Sequence, residues 1–512
     1  MKTIYIKITA LCLMLMVSFN ACNTDNLAEL NVDPRVASEI DPGFILAYTQ
    51  LQTSGERYEN WRTVMIFQSV MIQHFAALAT YWVGDKYLHN DSYSAALWDR
   101  AYVNYVKDLV NLADITDPTK EGNDGSNVNY HAIARIWKVF AFQRITDIYG
   151  DVPYFDAGKG FIDQNFFPTY DPQEEIYPDL ANELEEAVAL LDESQINPGS
   201  QDLIYGGDLD KWRKFAHSLM LRIGMRMSNV APNIAQEYVG KAIAGGVMTS
   251  NDDICYISHT DGPAGINRNG IGDVFNYDGT NYTNDDQGVL SKTFVDWMIA
   301  GDDPRLEKLS WVRNGGEPMG LPNGYDGNTI ENFDPLYTSS ARRDDYSRIN
   351  PLFVLRESPM VFQTYAEVEF LIAEAIEKGW ATGNAVDHYN AGVTAAMKQY
   401  MVYDASLEIA DADIAAYLAA NPYNSAEWDR ILGEQYWAAT LLNEYEAYAN
   451  WRRTGFPVLT PVNYPGNQTN GTIPRRLRYP GSEAANNPEG YNAAVARQGL
   501  DLYTTRIWWD VE

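Results

Sequence analysis

Leu209–Arg226 reads LDKWRKFAHSLMLRIGMR, and the spacing of its apolar residues decides the fold class. Trp212, Phe215, Leu219 and Ile223 stand at offsets of 3, 7 and 11, which is one face of a helix. The same spacing recurs further along the chain. In 363–379 the stripe is Val368, Leu371, Ile372 and Ala375; in Ala426–Arg453 it is Trp428, Ile431, Leu432, Gln435, Leu442 and Tyr445. Without a break, that last helix would be about 40 Å long. Further helices are predicted near 44–54, 61–79, 94–112, 130–149, 173–192, 234–245, 384–402 and 411–420. Asp41-Pro42 and Asp171-Pro172 each offer an N-cap followed by a proline suited to a first turn, and Glu174 sits where a capping-box acid belongs. Short connections favour antiparallel helix pairs. No sequence repeat of fixed period is visible, so any repetition is structural and degenerate.

One region breaks the pattern. Between Gly262 and Gly327 lie 12 of the 37 glycines, and this density marks loops. Among them stand Phe275, Tyr277, Tyr282, Phe294, Trp297, Trp311 and Tyr325. The tail from Phe456 to Gly490 is irregular too, with six prolines from Pro457 to Pro488. No clean linker divides the chain. The expectation is one mainly α domain over 41–512, with a loop-rich elaboration at about 255–345.

The composition, 46% hydrophobic and 21% charged, is that of a folded chain. Its net charge of −31 argues against nucleic acid, whose phosphates need a basic face, and against docking on anionic lipid by charge. The 34 Tyr and 13 Trp imply either a packed interior or surfaces that bind by stacking. Lys2 and Lys7 precede and border the apolar run Ile8–Phe19, which is too short to span a membrane and reads as a signal peptide, 1–21. Ala21-Cys22 resembles the lipobox of bacterial lipoproteins, in which the cysteine is lipidated. The polar stretch from Asn23 to Asp33 would serve in a tether over 22–40. With Cys12 removed and Cys22 acylated, Cys255 is left as a lone thiol, so no disulfide or zinc set is expected.

Several blocks together resemble a known family. They are FQRITDIYGDVPY (Phe142–Tyr154), LDKWRKFAHSLMLRIGMR, YAEVEFLIAEAIEKGW (Tyr365–Trp380), YEAYANWRRTGFP (Tyr445–Pro457), RYPGSEAANN (Arg478–Asn487) and the closing Arg506-Ile507-Trp508-Trp509-Asp510. In this order they resemble the SusD/RagB family of nutrient-binding outer-membrane lipoproteins, closest to its SusD-like branch. The resemblance implies a mainly α fold of four degenerate tetratricopeptide-like helix pairs with a loop-rich elaboration. It also implies a surface lipoprotein that sits as a hinged lid on a SusC-like TonB-dependent barrel and hands it oligosaccharide, or peptide in some branches, without catalysis. The blocks themselves read as scaffold. Tyr149-Gly150-Asp151 and Arg453-Thr454-Gly455 are helix stops, and Trp212, Arg222 and Arg226 pack and pair within helices.

No nucleophile, phosphate-loop or dinucleotide motif is present, and the six histidines lack metal spacing. Glu367 and Glu374 lie on one predicted helix face, not across a cleft as a glycosidase requires, and should pair with arginines of neighbouring helices. No cofactor is expected. Asp273, Asn276, Asp278, Asn281, Asn284, Asp285 and Asp286 could hold a structural calcium or form a solvated loop. A pyranose needs a flat ring beneath it and amide, carboxylate or guanidinium groups around it. Two stretches offer that mixture. The first runs from Tyr81 to Asp91, with Trp82 and Tyr87; the second holds Arg268, Tyr277, Asn281, Tyr282, Trp311 and Arg313. An oligosaccharide binder is therefore the leading reading. A peptide binder, a glycoside hydrolase with unrecognised carboxyls, and a structural lid are the alternatives.

Overall fold

The computed structural model describes residues 40–511 except 161, 284–287 and 338–339. The signal segment, Cys22 and the acids Asp285 and Asp286 with Asn284 lie outside the described residues. The compact unit is Pro42–Glu512.

Its frame is helical. In chain order the principal helices are α1 Val128–Tyr149, α2 Gln173–Leu190, α3 Leu209–Arg226, α4 Pro232–Gly245, α5 Lys292–Ala300, α6 Tyr365–Glu377, α7 Ala385–Lys398, α8 Trp428–Ala439 and α9 Glu444–Thr454. Consecutive helices pack as neighbours: α1 on α2, α3 on α4, α6 on α7 and α8 on α9. The fold is thus mainly α, built of helix pairs. α3 starts at Asp208, whose carboxylate accepts the Lys211 amide, and buries Trp212, Phe215, Leu219 and Ile223 as the stripe predicts. α1 ends at Gly150 with φ 85° and α9 at Gly455 with φ 78°, conformations that glycine adopts without strain.

Charges hold the pairs together from within. Arg222 Nε lies 2.6 Å from Glu367, Arg226 Nη2 2.6 Å from Glu446 and Arg453 Nη1 2.5 Å from Glu374. All six side chains are buried. Burial works against the charged Glu374, but Arg453 and Lys378 hold its carboxyl below the usual carboxylate range. A buried guanidinium bound to a carboxylate in this way costs more to disrupt than to keep. The two glutamates are therefore pairing groups, as expected, and share no cleft.

Three sequence expectations are corrected. The segment from Ala426 to Arg453 is two helices, not one. Leu442 turns left-handed at φ 71°, and its amide donates to Glu444 Oε1. Buried His74 is wedged at this turn, with Nε2 donating to the Trp437 carbonyl and Nδ1 2.8 Å from Glu444 Oε2. Second, the helix predicted over 61–79 lies earlier. It begins as Arg57–Glu59, continues as a wide-wound stretch Asn60–Ser69, and gives way to strand β1, Phe75–Ala76. Third, Asp171 does not cap α2. Its carboxylate accepts from the Tyr154 and Phe155 amides, and Asp151 takes the Gln173 amide instead.

The glycine-rich region is loop-rich but not only loop: α5 lies in it, and Phe294 packs in the core from that helix. Strands β2 Cys255–Ile257, β3 Val289–Leu290, β4 Ser310–Trp311, β5 Arg348–Ile349 and β6 Met360–Gln363 complete the named strands. β1, β3, β5 and β4 pair antiparallel in that order, with Phe75 opposite Leu290, Val289 opposite Arg348 and Trp311 opposite Arg348. β2 pairs with β6 and seats Cys255 in the core, where burial pushes its thiol pKa up.

Candidate functional site

The loop after β1 and the turn of the wide-wound helix meet at an aromatic surface. Gly84 lets them approach: a Cβ there would stand 2.3 Å from the Ile66 carbonyl oxygen. The close seat turns Trp82 into the core and leaves Tyr81 exposed. Tyr81 meets half-buried Trp61 edge-on at 6.1 Å, and Trp61 meets Tyr93 at 5.7 Å. Guanidinium groups cover these rings. Arg57 stands 4.9 Å over Trp61, while Arg62 stands 3.6 Å over Tyr58 and 5.5 Å from both Trp61 and Tyr93. Trp61 Nε1 and the Nε and Nη1 of Arg62 have no hydrogen-bond partner.

A second aromatic group adjoins the first. Arg57 Nε donates to the Asp273 carbonyl on the short helix Gly270–Phe275. Beyond it, half-buried Tyr277 packs edge-on with Tyr282 at 5.3 Å and with Trp311 at 6.5 Å. Arg313 lies 5.9 Å from the Trp311 ring and 2.9 Å from Asp344. Asn281 is exposed on the turn that Asp278 closes by accepting the Thr280 and Asn281 amides. Arg268 donates to the Gly262 carbonyl and faces Asp261.

The structure thus brings Tyr277, Tyr282, Trp311 and Arg313 together and leaves Arg268 at the edge. It removes Trp82, Tyr87 and Tyr282 from the five aromatics expected to include a stacking platform, because all three are core rings. Their exposures are 0%, 1% and 3%. Gly288, at φ 73°, seats against Phe275 and Trp82; Tyr87 accepts the Val462 amide; Tyr282 donates to the Ile349 carbonyl. These rings seal the loop layer because it has no helical stripe to do so. Sequence reasoning passed over Tyr58, Trp61, Arg62 and Tyr93 because it looked for the site in loops: Trp61 and Arg62 fell within the helix predicted over 61–79, and Tyr58 and Tyr93 fell just outside the stretches it singled out. The usable signal was Arg57-Tyr58 and Trp61-Arg62 on adjacent turns, rings and guanidiniums in place of an aliphatic stripe.

Of the candidate calcium ligands, Asn284, Asp285 and Asp286 lie outside the described residues. Asp273 pairs with Arg356 at 2.7 Å, and among the described residues no group of three or more His, Cys, Asp or Glu could hold a metal ion.

A family model described as "SusD-like_2: Starch-binding associating with outer membrane" matches residues 34–480. The chain belongs to the SusD-like family. A solved structure titled "chitin-binding protein" is 34% identical to this SusD-like chain, covers 92% of it and 100% of its own length, and superposes with a TM-score of 0.82. A structure titled "Bacteroidetes AC2a SusD-like" is 27% identical, with the same coverage and a TM-score of 0.80. A chitin-binding SusD homolog from Flavobacterium johnsoniae, 24% identical over 92% of this chain and 98% of its own at a TM-score of 0.76, shares the fold. No curated protein sequence matches this SusD-like chain.

Proposed function

We propose that this SusD-like protein is a carbohydrate-binding surface lipoprotein of the outer membrane, not an enzyme, and that its ligand is a chitin-type oligosaccharide. Cys22 carries the lipid, 22–40 is the tether and 41–512 is the binding domain. The protein passes its ligand to a SusC-like TonB-dependent transporter, on which it sits as a hinged lid. The observation that carries the reading is the exposed and half-buried ring surface Trp61–Tyr81–Tyr93, with the Arg57 and Arg62 guanidinium groups beside Trp61. Rings stack on pyranose faces, and guanidinium groups beside them are donors suited to sugar hydroxyl and acetamido oxygens. Tyr277, Trp311, Asn281 and Arg313 extend the surface. The 34% identity to a structure titled as chitin-binding supports the choice of glycan.

Titration of the purified protein with N-acetylchitohexaose in a calorimeter tests this. Trp61→Ala should weaken binding by about thirtyfold, the loss of an anchor worth ~2 kcal/mol, with little change in melting temperature. Equal affinity in both proteins sinks the site. Cys22→Ser should release the protein from the membrane fraction in cells lacking the transporter; retention there refutes the lipid anchor.

A further inference from the structure

A cavity of 590 Å³ lies apart from the Trp61 surface, where 322–325 and 460–465 meet the first turn of α5. Its size falls in the range of small-molecule pockets, ~300–1,000 Å³. We propose that it is a second carbohydrate subsite, which takes the end of a neutral oligosaccharide; the inference rests on the glycan reading above.

Three features carry it. The first is the lining. Tyr325 and Tyr464 are half-buried rings, and polar groups such as Thr293, Thr460 and Asn463 stand beside them. The second is charge. Lys292 and Asp296 are the charged side chains on the wall, and they pair with each other. The cavity therefore offers no net charge to an ion, and an uncharged, hydroxyl-rich ligand suits it. Asn323 commits its amide nitrogen to Asp85 and to the Phe75 carbonyl, while its buried Oδ1 has no donor.

The third feature is a support built from chain segments far apart in sequence. Buried Asp85 accepts from Asn323 on one oxygen and from the Gly324 amide on the other, and is itself paired with buried Lys86. Buried Gln73 is held left-handed at φ 57°; it donates to the Thr460 carbonyl and accepts from Thr293. Tyr464 donates to Asp326. Gly324, at φ 83°, sits so close to Val462 that a Cβ would stand 2.4 Å from it. Left-handed non-glycine backbone and a support tied by hydrogen bonds between distant segments are features of pre-organised sites. Asp85 also lies on the loop that displays Tyr81, so one loop serves both places.

The test compares the unmodified protein with Trp61→Ala, Tyr325→Ala and Asn463→Glu. The last places a charge at an exposed position on the cavity mouth and leaves the core untouched. Melting curves accompany each variant. The probes are N,N′-diacetylchitobiose by saturation-transfer NMR and N-acetylchitohexaose by calorimetry. With two subsites, Trp61→Ala still gives a chitobiose signal, Asn463→Glu or Tyr325→Ala in that background removes it, and Asn463→Glu alone weakens hexaose binding about five- to tenfold. If Trp61→Ala abolishes all binding, or the double variants still bind chitobiose, the second subsite is refuted while the first stands. If the unmodified protein binds neither probe, both readings fall.

Discussion

Glu59 sits two residues before Trp61, buried beneath the ring surface, and accepts a hydrogen bond from Tyr445 at 2.8 Å. Burial is the main cause that lifts its pKa from the ordinary 4.5 to about 7; the Tyr445 bond and Arg144 offset part of it. The sign of the pH effect follows. Below pH 4.5 the group is protonated whether the chain is folded or not. Between 4.5 and about 7 only the unfolded chain ionises, so the stability held by the neutral form drains away as pH rises. The loss reaches about 3 kcal/mol by pH 8. Glu59→Gln keeps an acceptor for Tyr445 and never ionises. Denaturant titrations of both proteins should show the variant gaining on the parent from pH 5 to pH 8, and a constant difference across that range would rule the argument out. Single residues were legible where one local requirement fixed them. Gly150 and Gly455 end helices, and Arg222 and Glu367 must find partners if buried. The sequence could not tell Trp61 from Trp82, because which indole faces solvent depends on how the loop lies on the helix.

At the scale of elements, that arrangement hangs on Gly84. Its backbone rests against the Ile66 carbonyl and the Phe67 Cα, both main-chain atoms that cannot swing aside. Gly84→Ala should lower stability by about 1–3 kcal/mol through overpacking and, by lifting the loop, displace Tyr81 and weaken hexaose binding. Unchanged melting and unchanged affinity together would show that the loop does not depend on this seat. Helix existence was legible from apolar spacing, since α3 and α6 bury the stripes read from the sequence. The break between α8 and α9 was not. It is set by His74, more than 360 residues away in the chain, and no local pattern records such a wedge.

At the scale of the whole molecule, charge separates the possible ligands. A chain of net charge −31 attracts cationic peptides over distances that salt screens, whereas a neutral glycan held by rings and hydrogen bonds is indifferent to salt. Hexaose affinity should change by less than about twofold between 50 and 500 mM sodium chloride, and a tenfold loss would favour a charged ligand. The interior tells a related story. Arg226→Met would leave Glu446 buried without that partner and should cost about 3–5 kcal/mol in chemical denaturation, far more than a surface pair. The core can also serve as a blank background for spectroscopy. Cys255 lies buried on β2 where that strand pairs with β6, and its thiol stays protonated, so it is unreactive toward maleimides in the folded protein. In a chain lacking residues 1–22 it is the lone cysteine. One cysteine introduced at Asn281 would accept a fluorophore at a single defined position, and the lid motion proposed above could be looked for without first rebuilding the protein.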